Sequence, residues 1–551
     1  MTLQRSFIDD LKQAEDEYEV IALCYNKLLD YTSDTDVCFV AKIGHLESDV
    51  EFEPYAQRFE EFRQTIISYA QEINVHFGLD GTGFEAFKNK LIIELTSFQF
   101  PEQIDIYTCF SVCLFYVLEA LDNYVDKNLD LVQSKYRTFG PLNRGKSQAY
   151  CMVYLQERES ILSTFYAEQG SGFRRPLRNT RIGNLFHAIL LIPRALCNQI
   201  VPHITPVLLN GHCKQVLNDR KVVKITSIPY IGFDTFSFHE IYSDSPCAPG
   251  HTPQGPFYVD YDKQDEHEVQ RVIDLLKFAI NGNANIVVFP EFIMNPRMLQ
   301  GIQDYLKKLE ANQKSELFLV LAGTCYHWDS DKRKGNNVLH ILNANGIEIG
   351  SYYKHSPFLT QAEEKIHGAL FPPKRKIDAQ SRSGQNTNSS AHRIYLDNCE
   401  ILSDPGKECT LIDLEIVGRI LPAICRDAID GETKSFAELF VPSFLMVPAW
   451  SPSITSFESG FSFLGDNIHT VSLLCNCCNA VKGNDETVIG KIVVPQKQGT
   501  QMSALPENIT RDKDCFCSCR NHGGCIKQVE ISFEKINPQV KLIHILGNNK
   551  I

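Results

Sequence analysis

The sequence lacks an excess of basic residues, a hydrophobic run long enough to cross a membrane and an apolar segment at its start. Lysine and arginine number 54 against 67 acidic residues, which gives a formal net charge of −13 at pH 7. A protein with this balance gains no general electrostatic attraction to nucleic acid or to anionic lipid. Neither nucleic acid nor a membrane is therefore an expected partner.

The longest apolar stretches cover residues 110–121 and 185–196, and both are shorter than the roughly 20 residues of a membrane helix. We expect both to be core helices. The first twenty residues are charged throughout, so no signal peptide is expected. Nineteen cysteines without a signal peptide are typical of a reducing compartment, which predicts a cytoplasmic protein without structural disulfides.

The pattern of the chain changes near residue 205 and predicts two domains. Before this point, apolar residues recur at three- and four-residue spacing, as on one face of a helix. We predict a mostly helical domain of unknown role over residues 1–210. The clearest stripe consists of Phe59, Phe62, Ile66, Tyr69 and Ile73.

After residue 220, strand and helix patterns alternate. Residues 222–230 and 285–289 have the composition of buried strands, and a helical stripe lies between them. Such an order predicts an α/β domain over 220–551. Residues 371–408 are polar and rich in turn formers, which indicates a surface insertion. The helical stripe consists of Val269, Val272, Ile273, Leu276 and Ile280.

Three reactive side chains follow buried-strand patterns in this second half: Glu291, Lys354 and Cys425. Each has an ordinary alternative, as a helix-terminal carboxylate, a solvated lysine or a core thiol. Together they supply a base, a cationic donor for an oxyanion and a nucleophile, which are the groups that thiol attack on a C–N carbon requires. Since α/β folds gather ligand-binding residues at strand ends, we interpret them as one site.

The three stretches "NANIVVFPEF", "GIEIGSYYKHSPF" and "VGRILPAICRDAIDG" resemble, in this order, the glutamate, lysine and cysteine signatures of the carbon–nitrogen hydrolase (nitrilase) superfamily. The resemblance covers about residues 220–551. It implies an α/β fold, a nitrilase-like four-layer α-β-β-α sandwich, here preceded by the mostly helical N-terminal domain. It also implies frequent dimerisation and no cofactor.

The same resemblance implies residue roles. Glu291 would be the general base, Lys354 the oxyanion donor and Cys425 the nucleophile, with the Arg426 backbone N–H as a second oxyanion donor. A second glutamate of the family pattern would be Glu363 or Glu364, and the spacing does not choose between them. Lysine and cysteine are 71 residues apart, longer than the family usually has, and the polar insertion accounts for the excess.

These observations predict a hydrolase that cleaves a non-peptide carbon–nitrogen bond of an amide, nitrile or ureido compound through a thioester. The alternative is a nitrilase-like binding or sensing module that works with the helical domain and has no turnover. The expected partner is a small-molecule amide or nitrile. Formation of a homo-oligomer and binding of a protein through the N-terminal domain both stay open.

A second candidate site is the cysteine-rich stretch 515–525. Zinc favours two to four residues between paired cysteines, whereas alternate cysteines on a strand point to opposite faces. We therefore favour a loop that is rich in cysteine over a metal site. The residues concerned are Cys515, Cys517, Cys519, His522 and Cys525.

Overall fold

A group of helices precedes two seven-stranded sheets in the part of the chain that the structure describes. The computed structural model describes residues 2–32, 53–75, 82–99, 106–127, 151–155, 160–161, 186, 188–193, 201–230, 237–240, 257–261, 266–310, 315–329, 334–356, 400, 402, 408–477, 480, 488–498, 501–510, 526–534 and 537–544.

Among the described residues near the N-terminus, five helices build an apolar core. Asp16 caps the second helix by accepting the N–H groups of Tyr18 and Glu19, both at 3.0 Å. The predicted stripe lies on the third helix, where Phe59 and Ile66 are fully buried. The helices are α1 (Thr2–Gln13), α2 (Glu17–Leu29), α3 (Glu53–Val75), α4 (Thr82–Ser97) and α5 (Ile106–Lys127).

Helix α5 is the centre of this core, as predicted for residues 110–121. Among the described helices it alone is long and apolar enough to cross a membrane, and 67% of its apolar window is buried inside the protein. Its Asp122 carboxylate accepts the N–H groups of Ala188 and Ile189, both at 2.8 Å. This burial is the environment of a core helix.

The interpretation of residues 185–196 as a core helix is wrong, because Ile189–Pro193 form strand β2, which pairs antiparallel with β1 (Cys151–Leu155). Consecutive residues of β2 point to opposite sides. Ile189 and Leu191 join the helical core, whereas Leu190 and Ile192 join the core between the sheets. A short apolar run buried on both faces has no period that separates strand from helix.

The first large sheet, sheet 1, has the order β10-β9-β8-β7-β4-β17-β18 and a parallel centre, since β7 pairs parallel with both β4 and β8. Gly346, with φ of +74°, turns the β9–β10 hairpin, and the hairpin predicted from "NANG" is confirmed. The strands are β4 (Val222–Ser227), β7 (Ile286–Val288), β8 (Leu319–Asp329), β9 (Lys334–Asn343), β10 (Glu348–Tyr353), β17 (Lys527–Ser532) and β18 (Gln539–His544).

The second large sheet, sheet 2, has the order β16-β15-β14-β13-β12-β11-β3, again with a parallel centre, β12-β13-β14. A separate hairpin pairs β5 (Ser237–Glu240) with β6 (Phe257–Asp260). The strands of sheet 2 are β3 (Val201–Val207), β11 (Glu408–Leu414), β12 (Gly418–Pro422), β13 (Phe444–Ala449), β14 (Val471–Asn476), β15 (Val488–Gln498) and β16 (Gln501–Thr510).

The two sheets pack face to face, with helices on the outer faces. Ile286 and Val288 of β7 belong to the apolar core shared with sheet 2, whereas Val287 between them packs under the helices outside sheet 1. The helices in this part of the chain are α6 (Gly211–Arg220), α7 (Glu266–Asn281), α8 (Pro296–Glu310), α9 (Gly431–Phe440) and α10 (Glu458–Ile468).

This arrangement confirms the predicted fold class, a nitrilase-like α-β-β-α sandwich that follows a mostly helical region. The predicted helical stripe after residue 266 lies on α7. Sheet 2 takes its edge strand β3 from Val201–Val207, before the predicted start of the α/β domain. The domain limits 1–210 and 220–551 remain a prediction.

Candidate active site

Three strand ends bring the predicted base, lysine and thiol to one buried corner between the sheets. Glu291 lies three residues after β7, and Lys354 directly follows β10 in the same sheet. Cys425 comes from sheet 2, where it opens the 3-10 helix Cys425–Ile429 after β12. All three are buried, with exposed fractions of 0%, 2% and 3% in that order.

Lys354 lies between two carboxylates. Its Nζ is 2.6 Å from Glu291 Oε1 and 2.6 Å from Glu400 Oε2, and all three side chains are wholly shielded from solvent. Burial acts to lower the pKa of Lys354, but the charges of Glu291 and Glu400 outweigh it, so the pKa lies above its ordinary value. The lysine is therefore a fixed cation at the centre of the site.

Asn337 on β9 joins the two carboxylates from the other side. Its Nδ2 donates to Glu291 Oε1 at 2.9 Å and to Glu400 Oε1 at 3.0 Å. The backbone oxygen of Asn337 accepts the backbone N–H of Lys354 at 2.9 Å. Because both N–H donors of this amide are used, both glutamates are fixed in position relative to the lysine.

Glu291 is held in a state that favours proton uptake. Its Oε2 accepts the Trp450 N–H at 3.0 Å. Burial raises the pKa of Glu291, Lys354 lowers it, and Glu400 raises it again, with a net result above the ordinary value. A buried carboxyl with a raised pKa is suited to accept and return a proton near neutral pH.

The backbone is strained where the base and the thiol are presented. Phe292, directly after Glu291, has φ of +63°, and Cys425 itself has φ of +47°. Both lie in the left-handed region, which is energetically unfavourable for residues other than glycine. Thr324 holds the first of these turns, because its Oγ1 accepts the Phe292 N–H at 2.8 Å. At Gly323, with φ of +78°, a Cβ would lie 2.7 Å from the Pro290 oxygen, so β8 can approach this turn only with glycine.

The Cys425 thiol differs electrostatically from the structural thiols. Burial and then the charge of Glu291 raise its pKa, and Lys354 acts in the opposite direction. By contrast, burial raises the pKa of Cys475 to about 12 with only neutral neighbours opposing it, and its Sγ donates to the Val288 oxygen. Cys425 thus has a carboxylate that raises its pKa and an ammonium that lowers it, whereas the neighbours that act on Cys475 are neutral.

Glu400 is the residue of the candidate site that the sequence did not indicate. It lies 46 residues beyond Lys354 and is fixed in a parallel bridge with Phe257. The one signal in the sequence is the short apolar flank of "CEIL" (399–402) after a long polar stretch. Glu363 and Glu364, the predicted second glutamates, lie outside the described residues.

Of the remaining predicted site residues, Arg426 lies among the described residues and the cysteine-rich stretch does not. Arg426 follows the thiol in the 3-10 helix, where its N–H belongs to the turn that presents Cys425, and its role stays a prediction. The cysteine-rich stretch from Cys515 to Cys525 lies outside the described residues. Within the described ranges, no cluster of three or more His, Cys, Asp or Glu side chains has the arrangement of a metal site.

No family model and no curated protein matches the chain. Among solved structures it is similar to Nit3 of Saccharomyces cerevisiae, a member of branch 10 of the nitrilase superfamily, with 14% identity over 52% of this chain and 90% of that chain and a TM-score of 0.30. An amidase from Nesterenkonia sp. has 9% identity over 55% and 92% of the two chains and a TM-score of 0.29.

A third similar structure is the glutamine-dependent NAD+ synthetase from Acinetobacter baumannii, with 13% identity over 58% of this chain and 47% of that chain and a TM-score of 0.32. The three neighbours are thus a nitrilase-superfamily member, an amidase and a glutamine-dependent synthetase, and the likeness is one of fold over about half of the chain.

Proposed function

We propose that the protein is a carbon–nitrogen hydrolase that cleaves a small amide, nitrile or ureido compound with Cys425 as nucleophile. The observation that carries this proposal is the buried lysine bridged by two carboxylates beside a buried thiol. Three charges withdrawn from water cost several kcal/mol each before they attract one another. Such a cluster next to a thiol is an arrangement suited to catalysis, since active sites are where burial and charge shift pKa values together.

Attack begins with a proton transfer. With an amide or ureido substrate, Glu291 accepts the Cys425 proton as the sulfur forms a bond to the carbonyl carbon, and the π electrons move to the carbonyl oxygen. A lysine ammonium has three N–H donors, and two of those on Lys354 point to Glu291 and Glu400. The third can donate to the new oxyanion, with the Arg426 N–H as its second donor.

Collapse of the tetrahedral intermediate then breaks the carbon–nitrogen bond. The protonated Glu291 returns its proton to the leaving nitrogen, which departs as ammonia or an amine and leaves a thioester on Cys425. Water then attacks the thioester, with Glu291 accepting the water proton and returning it to the departing sulfur. Glu400 orients Lys354 throughout this scheme, because its Oε2 accepts from Nζ of the lysine.

The test is release of ammonia from a panel of amides, nitriles and ureido compounds. Cys425→Ala should release none, whereas Cys409→Ala, which removes another buried thiol on the neighbouring strand β11, should behave as the unaltered protein. A thiol reagent should label Cys425 before the other described thiols. A protein that binds panel compounds without releasing ammonia would instead be the binding module that the sequence leaves as the alternative.

A further inference from the structure

We propose that Asp427 is a positioning residue that fixes Lys354 relative to Cys425 by joining the end of β10 to the turn of the nucleophile. This inference rests on the proposed function, because it assigns a role at the same site. Lys354 and Cys425 come from different sheets, so nothing in the ladder of either sheet determines the distance between them. A contact between the two strand ends has to do so.

Asp427 lies two residues after the thiol in the 3-10 helix, and its own N–H donates to the Ile424 oxygen at 3.0 Å. Its carboxylate faces the other sheet. Oδ1 accepts the Ser356 N–H at 2.6 Å and Oδ2 accepts the His355 N–H at 3.1 Å, and the His355 N–H also lies 3.2 Å from Oδ1. These are the first two residues after Lys354, so the carboxylate holds the segment that carries the lysine.

The lysine is thereby held from both sides. On its N-terminal side, the Lys354 N–H donates to the Asn337 oxygen at 2.9 Å, one step beyond the last paired residue of β10. On its C-terminal side stand the bonds to Asp427, and the Ser356 hydroxyl also donates to Asp430 of the same turn. Without Asp427, the N–H groups of His355 and Ser356 would lose the carboxylate that connects this backbone segment to sheet 2.

Position matters here because an oxyanion donor works only over hydrogen-bond distance. A displacement of about 1 Å at a catalytic group can cost roughly a hundredfold in rate. Asp427 has 1% of its surface exposed, and two N–H donors meet its carboxylate, so the contact is rigid and shielded from water. Charge-assisted bonds of this kind are about twice as strong as neutral ones.

The neighbours of the Asp427 carboxylate determine its pKa and have shifted pKa values of their own. Burial raises the pKa of Asp427 to about 7, against the effects of Lys354 and of the two N–H donors, and Glu291 adds to the rise. Burial lowers the pKa of His355 to about 4 despite the charge of Asp430. Burial and then Asp427 raise the pKa of Tyr352. Asp427 is thus a group here whose charge we expect to change near pH 7.

The experiment compares Asp427→Asn with the unaltered protein in the rate at which iodoacetamide alkylates Cys425, a reaction in which the thiolate displaces iodide. Removing a negative charge near a thiol would by itself speed alkylation. Loss of the positioning contact moves Lys354 away and should slow it about tenfold or more, because the lysine no longer stabilises the thiolate. The two explanations therefore predict opposite signs.

A matched control is Asp413→Asn, which removes a carboxylate from Arg419 in the same sheet and should leave the alkylation rate of Cys425 unchanged. Amide hydrogen exchange supplies the second measurement, on the unaltered protein if Asp427→Asn fails to fold. Protection of the His355 and Ser356 amides should fall as the pH drops below about 7, while the Asp427 amide, bonded to the Ile424 oxygen, keeps its protection.

Alkylation of Asp427→Asn at the unaltered rate or faster, or protection of the two amides that does not change with pH, would overturn the inference. Failure of the proposed function gives a different result. In that case Cys425 of the unaltered protein still reacts with iodoacetamide, no panel compound is hydrolysed, and the alkylation comparison still reports on Asp427.

Discussion

Two groups of charges lie in the same sandwich, one fully buried and one partly buried, and they differ in the number of carboxylates around the cation. In sheet 2, Arg419 forms two bonds to Asp413, with Nε 2.6 Å from Oδ1 and Nη2 2.9 Å from Oδ2, so one cation faces one carboxylate. At the candidate active site, Lys354 faces both Glu291 and Glu400. The charges of Arg419 and Asp413 balance, whereas the Lys354 group has two carboxylates for one cation.

The difference separates a structural ion pair from a group that the proposed function makes reactive. A guanidinium and a carboxylate that match in charge and shape have little reason to exchange a proton. Two carboxylates around one ammonium disfavour each other's charge, which is one cause of the raised pKa of Glu291. The unbalanced group therefore has a base available beside a thiol, and the balanced pair has none.

The largest effect should come from removing the group on which the unbalanced cluster acts. Cys425→Ala should lower hydrolysis by about 10⁴-fold or more, as expected for loss of a nucleophile, with the fold intact because only a sulfur is lost. Ammonia release and thermal unfolding of the same preparation are the measurements. Normal hydrolysis by this variant would show that Cys425 is not the nucleophile, and the Lys354 group would then have no catalytic role at this thiol.

The next effect concerns the shape of the cation. Lys354→Arg keeps the charge but brings the planar head found in the structural pair, and it should reduce the rate by about 10²–10³-fold, the typical loss of one oxyanion donor. Single-turnover formation of the thioester is the measurement, with Lys354→Ala alongside. Thioester formation at a near-normal rate in the arginine variant would remove Lys354 from the proposed set.

Balancing the cluster should have a smaller effect with a defined direction in pH. Glu400→Gln removes a charge that raises the pKa of Glu291, so this pKa should fall. The base is then ionised at lower pH, the acid side of the pH–rate profile moves to lower pH, and the plateau rate drops by roughly tenfold because a weaker base accepts the thiol proton less readily. A profile that moves to higher pH would show that Glu400 acts otherwise.

A change in the structural pair Arg419–Asp413 should leave the rate of hydrolysis unaltered and lower the stability of the protein instead. Asp413→Asn leaves Arg419 without its charged partner, and the free energy of unfolding should fall by about 3 kcal/mol, the lower end for breaking a buried pair, because 24% of the Asp413 side chain is exposed. Denaturant unfolding and ammonia release measure the two quantities. A rate that falls with the stability would mean that the two charge groups are coupled.

The sequence allowed Glu291, Lys354 and Cys425 to be predicted because each follows a strand pattern, and the strands before Glu291 and Cys425 are fully buried, whereas β10 before Lys354 is only partly buried. Glu400 could not be found in this way, since it follows a long polar stretch and stands alone in an apolar flank. Asn337 carries no local signal either, because nothing in a strand marks which amide will face a carboxylate on another element. Contacts between distant parts of the chain, rather than local patterns, determine both.

The same limit explains the fold. Helices with a strong apolar period, such as α3 and α7, were predictable because the period alone identifies them. Strand β2 was not, because both of its faces are buried and its neighbour β1 lies far away in the sequence. The place of β3 in sheet 2 depends on parallel pairing with β11, about two hundred residues further along.

Strand β2 has a consequence for how the protein melts. Its alternate side chains belong to both hydrophobic cores, so neither core can lose its packing without exposing residues of the other. Cooperativity in folding arises where one element is required by two packed units at once. The helical region and the sandwich, although distinct in sequence pattern, are thereby thermodynamically linked, and a calorimetric scan should record their unfolding as one heat-absorption peak.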